Sequence, residues 1–363
     1  MSYKIRNIIL LCFIGGLFWS CKESKTLDTS FSPLPNEGNV NITKQANFLD
    51  DRISDNSLKP EYYFYRAKNH YEQKELEPAL RDIQVAIRLD SSQSRHYFWQ
   101  AMIMADLGSN QEALRTALRS EEMGYESIGL DILIGRLYYE SNEPNLAIRY
   151  LRRARQILPE FPTISYLYGS IYADAKDTAQ AFNELKEAIR LNPNYEEAYT
   201  KVVKIYREYG MYTNALSYAK RATKHFEPTE ILSFEIATTL LQQENLDSAS
   251  FWYNKVLEKN PSAWRANLGI AKYLIAKKDY LQAEKYYNKA LEYNPNIEGG
   301  YYQLGYIYEY YVRDLEKAIA YYKKGSRLDR ANEELAQALR RATRKLENPY
   351  IPTPMPVVAD SAQ

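Results

Sequence analysis

Side chains that commonly carry catalysis or hold metals are scarce in this chain. Its 363 residues contain three histidines and two cysteines. His70, His96 and His225 have no second ligand at metal-binding spacing, and the chain lacks Gly-x-Ser-x-Gly, His-Glu-x-x-His, Cys-x-x-Cys and phosphate-binding glycine motifs. Paired carboxylates could still transfer protons, but no pair is distinguished by its spacing. The sequence therefore predicts a protein that is not an enzyme and that has no metal site.

Cys21 is the cysteine whose surroundings indicate a specific chemistry. Two basic residues near the N-terminus are followed by a charge-free run from Ile8 to Trp19, and then by Ser20 and Cys21. A helix that spans a bilayer needs about 20 apolar residues, so this run is too short. The order of basic, apolar and small residues is typical of a cleaved signal peptide over residues 1–20.

The segment resembles the lipobox of bacterial lipoproteins, in which a diacylglycerol is attached to the cysteine at the cleavage site. Phe18 and Trp19 depart from the commonest pattern, although lipoproteins of the Bacteroidota tolerate such departures. The resemblance implies an acyl lipid on Cys21 and no other cofactor, with ordinary cleavage or a short uncleaved anchor as alternatives. Lys22 replaces the aspartate that retains lipoproteins at the inner membrane, which favours the outer membrane. We expect the periplasmic face, with the cell surface as the alternative.

Composition and charge exclude several classes of protein. Hydrophobic residues make up 45% and charged residues 26% of the chain, so neither wholesale disorder nor a polytopic membrane protein is expected. The net charge of +1 gives no electrostatic reason to expect a nucleic-acid partner. Residues 21–59 are rich in serine, asparagine, aspartate and proline and predict a flexible tether. Within it, Phe48, Leu49 and Ile53 are spaced for a short helix that leads into the folded part.

The rest of the chain repeats with a period of 34 residues. One alanine recurs at this spacing, with a single extra residue before its last occurrence, at Ala79, Ala113, Ala147, Ala181, Ala215, Ala249, Ala283 and Ala318. With this alanine as position 20, small side chains recur at positions 8 and 27, large ones at position 11 and proline at position 32. Proline ends a helix because it lacks the amide hydrogen and clashes with the preceding turn. Each unit is therefore predicted to be a helical hairpin whose small residues let two helices approach closely.

This pattern resembles the tetratricopeptide repeat (TPR) family, which has small residues at positions 8, 20 and 27 and proline at position 32. The resemblance implies an all-α fold, a right-handed superhelical solenoid of eight hairpins over residues 60–332. The units are 60–93, 94–127, 128–161, 162–195, 196–229, 230–263, 264–297 and 298–332. Arg66 and Gln100 depart from the apolar position 7, so the first hairpins are predicted either to pack less tightly or to be covered by residues 40–59. His70, at position 11, is predicted to pack in the core.

A solenoid needs its last apolar face covered. Residues 333–347 are predicted to form this capping helix, with Asn332 as its N-cap. Its apolar stripe consists of Leu335, Leu339, Ala342 and Leu346. The basic residues near its end suit the helix dipole; an RNA-binding patch is the alternative, and no nucleic-acid partner is expected. Prolines within residues 348–363 predict a disordered, extended tail.

In TPR arrays the first helix of each hairpin lines a concave face, and the resemblance implies that positions 5, 9 and 13 look inward. Position 5 is apolar or aromatic in seven of the eight units, and position 9 carries a cation in every second unit. The candidate partner-binding residues are Phe64, Lys68, Phe98, Ile132, Arg136, Tyr166, Lys204, Phe234, Leu268, Lys272 and Tyr302. Two alternatives stay open: the position 5 side chains pack against neighbouring hairpins, and the charges pair with acids four residues along the same helix.

The resemblance implies a scaffold or adaptor that binds an envelope protein partner in its groove and is anchored to the membrane through lipid on Cys21. A surface-exposed lipoprotein that binds a glycan or a peptide on the aromatic residues is the alternative. The lysine-or-arginine and asparagine pattern that holds chaperone C-termini is missing, since position 9 has no asparagine. No sequence motif identifies the partner, because the choice of partner depends on scattered groove residues.

Overall fold

The computed structural model describes residues 42–348, with side chains from Leu49 onward. The signal peptide, Cys21 and residues 349–363 lie outside the described residues. Within them no strand occurs, and the predicted all-α class is confirmed. The helices are α1 (Ile42–Asp55), α2 (Pro60–Glu72), α3 (Leu76–Leu89), α4 (Ser94–Asp106), α5 (Asn110–Glu122), α6 (Ile128–Glu140), α7 (Pro144–Ile157), α8 (Pro162–Asp174), α9 (Thr178–Leu191), α10 (Glu196–Glu208), α11 (Tyr212–Ala222), α12 (Glu230–Gln242), α13 (Leu246–Lys259), α14 (Trp264–Ala276), α15 (Tyr280–Tyr293), α16 (Gly300–Tyr306), α17 (Leu315–Leu328) and α18 (Glu333–Glu347). None of these described helices is long and apolar enough to cross a membrane.

The helices pair as hairpins, α2 with α3 and so on to α16 with α17. A residue in the left-handed backbone conformation follows each first helix, at Lys74, Gly108, Asn142, Lys176, Gly210, Glu244, Lys278 and Arg313. In the first hairpin the amide of Glu75 donates to the carbonyl oxygen of His70 at 2.9 Å, and the amide of Lys74 donates to that of Tyr71 at 3.0 Å. These bonds form a Schellman motif, which satisfies carbonyl groups at the helix end while the chain reverses.

Small residues at position 8 allow the two helices of a hairpin to cross closely. A Cβ atom built on Gly135 would lie 2.9 Å from Leu151, and one on Gly169 would lie 2.7 Å from Leu185. Both distances are shorter than normal contact between carbon atoms. A larger side chain would therefore push α6 away from α7 or α8 away from α9, which confirms the predicted reason for the small residues.

The first compact unit comprises residues 1–157, of which the structure describes α1 to α7. Its core is built from the facing sides of the hairpins and includes Phe64, Trp99 and Ile134. Helix α1 packs on α2, and Leu49 of α1 is only 5% exposed. The short helix predicted around Phe48, Leu49 and Ile53 is confirmed, and over Ile42–Asp55 it replaces the predicted flexible tether.

Helix α1 covers the first hairpin through an ion pair. Arg66 Nη1 lies 2.7 Å from Asp50 of α1, and Arg66 Nε lies 2.6 Å from Asp82 of α3. Since Asp82 keeps only 9% of its side chain exposed, Arg66 supplies the partner that a buried carboxylate requires. His70 is not packed in an apolar core as predicted, because its Nδ1 lies 2.6 Å from Glu75 and its side chain is 25% exposed. Of the two explanations for a cation at position 7, the structure favours coverage by the preceding segment.

The second compact unit comprises residues 158–363 and is described through α18. Tyrosines contribute much of its core, and Tyr199, Tyr308 and Tyr322 are among the largest fully buried side chains. Their rings pack against apolar residues, while a hydroxyl group can still reach a polar partner, as Tyr322 does when it donates to Glu309 at 2.9 Å. The abundance of tyrosine is thus explained partly by helix packing.

The extra residue of the last repeat is accommodated in a π-helical segment. Helix α16 continues directly into this segment, which spans Ile307–Val312. A π-helical turn holds one more residue than an α-helical turn, so it absorbs an insertion without breaking the helix. The segment lies between Ala283 and Ala318, where the repeat spacing is one residue longer than elsewhere.

Helix α18 covers the end of the second unit, as predicted for a capping helix. The side-chain oxygen of Asn332 accepts from the amide of Leu335 at 3.1 Å, which confirms the predicted N-cap. Leu335 and Ala342 are buried, and α18 packs on α17. Leu346 was predicted on the same stripe, but 45% of it is exposed because it lies one turn beyond the buried contact.

Candidate functional site

The candidate site is formed by the first helices of the hairpins, which make one face in each compact unit, and we call either face the first-helix face. In the first unit it consists of α2, α4 and α6, and in the second of α8, α10, α12, α14 and α16. Neighbouring first helices contact one another directly, as α4 does with α6 and α10 does with α8 and α12. Side chains that are one repeat apart in the chain can therefore act together.

The position 5 residues of the first unit are core residues. Phe64, Phe98 and Ile132 are each 2% exposed. The ring of Phe98 lies 5.3 Å from that of Tyr125, and the ring of Phe64 lies 4.9 Å from that of His96. Of the two alternatives for position 5, the structure favours packing for these three residues, because their side chains are used to pack successive hairpins.

The position 5 residues of the second unit are half-buried instead. They are Tyr166, Phe234, Leu268 and Tyr302. The ring of Tyr166 lies 5.2 Å from that of Tyr195, and the ring of Phe234 lies 6.0 Å from that of Tyr253. Each side chain packs on a neighbouring helix and still leaves part of its surface accessible, so ligand contact stays a prediction for these four.

A line of polar side chains crosses the three first helices of the first unit, and we call Tyr71, Asp106, Arg136 and Glu140 the polar ladder. The hydroxyl of Tyr71 on α2 donates to Asp106 on α4 at 2.5 Å. Arg136 on α6 lies 3.3 Å from Asp106 and 4.0 Å from Glu140, with about a third of each charged side chain exposed. The ladder thus connects three hairpins and remains open to solvent along its length.

The pKa values of the ladder agree with this arrangement. Burial raises the pKa of Tyr71 and the hydrogen bond to Asp106 raises it further, so the hydroxyl stays protonated and donates. Burial also raises the pKa of Glu140, although Arg136 opposes the shift. Asp106 accepts from both Tyr71 and Arg136, so one carboxylate links α2 and α6 through α4.

The remaining predicted cations are placed differently from one another. Lys68 lies over the ring of Trp99 at 4.9 Å, a cation–π contact. Lys204 and Glu208 are 4.0 Å apart on α10, which agrees with the alternative that each cation pairs with an acid four residues along the same helix. Lys272 on α14 is exposed. Whether these three cations bind a ligand stays a prediction.

One aromatic surface is predicted from the sequence only through Tyr302, which is among the candidate partner-binding residues. Five tyrosines around the π-helical segment lie within contact of one another, and we call Tyr280, Tyr302, Tyr306, Tyr310 and Tyr311 the tyrosine surface. Neighbouring rings are 4.5 to 6.3 Å apart. Tyr311 is 52% exposed and the other four are half-buried. The signal was present in the extra residue of the last repeat and the tyrosine-rich run beside it, since π-helical segments occur frequently at functional sites.

A buried carboxylate joins the π-helical segment to α18. Glu309 has no exposed side-chain surface, and it accepts from Arg341 Nη2 at 2.9 Å, Lys345 Nζ at 2.8 Å and the hydroxyl of Tyr322 at 2.9 Å. Burial alone would raise the pKa of Glu309, but these hydrogen bonds outweigh it and lower the pKa below its ordinary value. The predicted role of the basic residues at the end of α18 therefore needs correction, because Arg341 and Lys345 neutralise Glu309 rather than serving the helix dipole alone.

The described residues 42–348 contain no group of three or more histidine, cysteine, aspartate or glutamate side chains that could hold a metal ion. Hydrogen bonds, ion pairs and aromatic packing orient the side chains of the first-helix face. Such a face can bind another macromolecule by the same kinds of contact.

Comparison with known proteins identifies the repeats. Residues 132–196, 234–296 and 299–332 match family models described as tetratricopeptide repeat. A curated relative, anaphase-promoting complex subunit 7 of Dictyostelium discoideum, is 21% identical over 230 residues, which cover 63% of this chain and 39% of that protein. The chain thus spans about two fifths of the length of this relative.

Two solved structures show the same fold. The C-terminal part of a TPR repeat-containing protein from Cytophaga hutchinsonii is 20% identical with a TM-score of 0.52, covering 67% of this chain and 99% of that one. The Cut9–Hcn1 hetero-tetramer of the anaphase-promoting complex contains a chain that is 15% identical with a TM-score of 0.56, covering 83% of this chain and 59% of that one. At these identities the likeness shows the fold alone.

Proposed function

We propose that this chain, in which residues 132–196, 234–296 and 299–332 match tetratricopeptide repeat models, is a non-catalytic scaffold that binds a protein partner on its first-helix face. The observation that carries this proposal is the polar ladder, whose side chains come from three successive hairpins and remain partly exposed. A partner segment lying across α2, α4 and α6 would meet one polar group from each helix. The polar groups and side chains of the partner would then contact the face at intervals set by the spacing of the repeats.

The chemistry of the ladder favours a peptide segment with carboxylate or carbonyl groups opposite Arg136. The planar guanidinium of arginine forms paired hydrogen bonds to such groups. Its contact with Glu140 is long, at 4.0 Å, so that acid does not fully occupy the guanidinium. Lys68 on α2 adds a second cation to the same face.

The experiment is affinity capture from crosslinked, detergent-solubilised envelopes. The test variant carries Asp106→Ala and Arg136→Ala together, so that neither charge is left without its partner. We expect recovery of the specific partner to fall at least tenfold, a loss of about 1.4 kcal/mol or more. The matched control carries Glu112→Ala and Arg115→Ala, an exposed ion pair of 3.9 Å on the second helix α5. Equal recovery with the two variants, both folded by circular dichroism, would show that the ladder does not bind the partner.

We also propose that an acyl lipid on Cys21 anchors the scaffold in the outer membrane of a bacterial envelope, facing the periplasm. The proposal rests on the order of residues before Cys21 and on Lys22 after it. Each buried methylene contributes about 0.8 kcal/mol, so two or three acyl chains make a stable anchor. The variant Cys21→Ser should therefore move from the membrane pellet to the soluble fraction, and retention in the pellet would contradict lipid anchoring. Digestion of the chain by protease added to intact cells would contradict the periplasmic face.

The glycan-binding alternative has weaker support along the first-helix face. A sugar would stack on open aromatic rings, but Phe64 and Phe98 are each 2% exposed. The exposed aromatic rings Tyr65, Tyr209, Phe251, Tyr293 and Tyr311 are spread over several hairpins and do not form a row along this face. A protein partner is therefore the function that the site supports best.

A further inference from the structure

The tyrosine surface is an aromatic face that the described residues leave partly uncovered. Tyr311 is 52% exposed and stacks on Tyr280, with ring centroids 5.0 Å apart and the ring planes 14° from parallel. Tyr306 lies 4.5 Å from Tyr310 and 5.9 Å from Tyr311. The rings therefore form one continuous surface, and an aromatic surface of this kind commonly binds an apolar or proline-rich segment.

Two carboxylates match the two cations beside this surface, because Glu309 pairs with Arg341 and Lys345 and a second acid, Glu334, interacts with Tyr302. Lys345 Nζ lies 4.5 Å from the ring of Tyr310, and Arg341 lies 5.7 Å from the same ring. Both cations also bind the buried carboxylate of Glu309, at 2.8 and 2.9 Å. An acidic ligand would have to compete with Glu309 for these cations, so an uncharged ligand is the better match for the surface.

The sequence that follows α18 has the composition of such a segment. Helix α18 ends at Glu347, two residues after Lys345, which contacts Tyr310. The sequence that follows, Pro-Tyr-Ile-Pro-Thr-Pro-Met-Pro over residues 349–356, contains four prolines and no charged residue. Proline fixes the backbone in the range of the polyproline II conformation, in which eight residues extend about 25 Å. That reach is sufficient for the segment to cross several rings that are 4.5 to 6.3 Å apart.

We propose that residues 349–356 dock on the tyrosine surface of the same chain and cover it. The inference goes beyond the scaffold function, because the polar ladder lies in the first unit and the tyrosine surface in the second. A failure of one proposal therefore leaves the other intact. Because the segment is attached directly to α18, its effective concentration at the surface is in the millimolar range. An intrinsic dissociation constant of about 0.1 mM then keeps the surface covered roughly nine-tenths of the time.

The test uses the full chain and a fluorescent peptide with the sequence of residues 349–358. One variant carries Pro352→Ser, Pro354→Ser and Pro356→Ser, which removes the polyproline preference of the attached segment without shortening the chain. We expect this variant to bind the peptide about tenfold more tightly than the wild-type chain, because its tyrosine surface is no longer covered. Fluorescence anisotropy measures both affinities.

Two tyrosine substitutions locate the site. In the proline-substituted background, Tyr311→Ala and Tyr306→Ala are each expected to weaken peptide binding, since ring contacts with the prolines are lost. Tyr293→Ala is the matched control, because Tyr293 on α15 is 50% exposed and lies outside the tyrosine surface. Because Tyr311 is 52% exposed, we expect its substitution to leave the fold unchanged, which circular dichroism checks.

Several results would overturn the proposal. Peptide binding of equal strength to the wild-type and proline-substituted chains would show that the surface is not covered by its own segment. No binding to either chain would show that the segment is not a ligand. Loss of the difference on dilution, together with dimers in sizing, would assign the surface to the segment of a second copy. If Tyr293→Ala weakens peptide binding and Tyr311→Ala does not, the peptide binds at another site.

Discussion

Single residues show where the chain departs from its repeat pattern and what each departure does. Arg66 replaces an apolar residue at position 7 and pairs with Asp50 and Asp82. Glu309 lies in the inserted π-helical segment and accepts from Arg341 and Lys345. Arg66 joins α1 to the first hairpin through Asp50, and Glu309 joins α18 to the last hairpin, so departures from the pattern mark the first and last repeats.

Glu309→Gln tests the carboxylate at the C-terminal end. At pH 7 the substitution removes charge-assisted hydrogen bonds to Arg341 and Lys345, and we expect α18 to open more easily by about 1.5 to 3 kcal/mol. Hydrogen exchange of the α18 amides measures this change. Glu316→Gln on the exposed side of α17 is the control and should have little effect.

The pH dependence of the same comparison has a defined sign. The pKa of Glu309 is lowered in the folded chain from an ordinary value of 4.5, so its stabilisation is present above about pH 4.5 and is lost as the pH falls through the folded pKa. The difference between wild type and Glu309→Gln should therefore shrink in acid. A difference that persists unchanged at pH 3 would contradict the assignment of Glu309 as an ionised partner.

Whole elements were predicted more reliably than their contacts. The recurring alanine and the terminal prolines predict helical hairpins because close helix crossing and helix termination are local requirements. The π-helical segment Ile307–Val312 was visible only as one extra residue, and its shape depends on contacts that form in the folded chain. Helix α1 was predicted only in part, since its stability comes from packing on α2 rather than from its own sequence.

Arg66→Ala tests whether α1 and the first hairpin depend on one another. The substitution leaves Asp82, which is 9% exposed, without its cation, and we expect α1 and α2 to be destabilised by about 1.5 to 3 kcal/mol. Hydrogen exchange of the α1 and α2 amides measures this, because repeat arrays can open locally. Arg81→Ala on the exposed side of α3 should change protection by less than about 0.5 kcal/mol. Equal effects of the two substitutions would show that Arg66 does not hold α1 in place.

At the scale of the whole molecule, the sequence predicts the repeat fold but only part of the binding face. A period of 34 residues specifies which helices are neighbours. It does not specify how deeply a side chain is buried, so Phe64 and Phe98 were assigned to the face although they lie in the core. The contact between Tyr71 and Asp106 joins residues 35 apart in the chain, and such a hydrogen bond depends on how the hairpins pack. Which side chains form the binding face therefore depends on how the hairpins stack on one another.

The most direct test of the central claim, that the first-helix face binds a protein partner, is site-specific photocrosslinking in intact cells. A photoreactive amino acid is placed at Lys68 on α2 and at Lys204 on α10, and at the exposed control positions Arg81 on α3 and Lys220 on α11. We predict that one partner is crosslinked from Lys68 or Lys204 and from neither control. Crosslinking from Arg81 or Lys220 alone, or equally from all four positions, would contradict binding on the first-helix face.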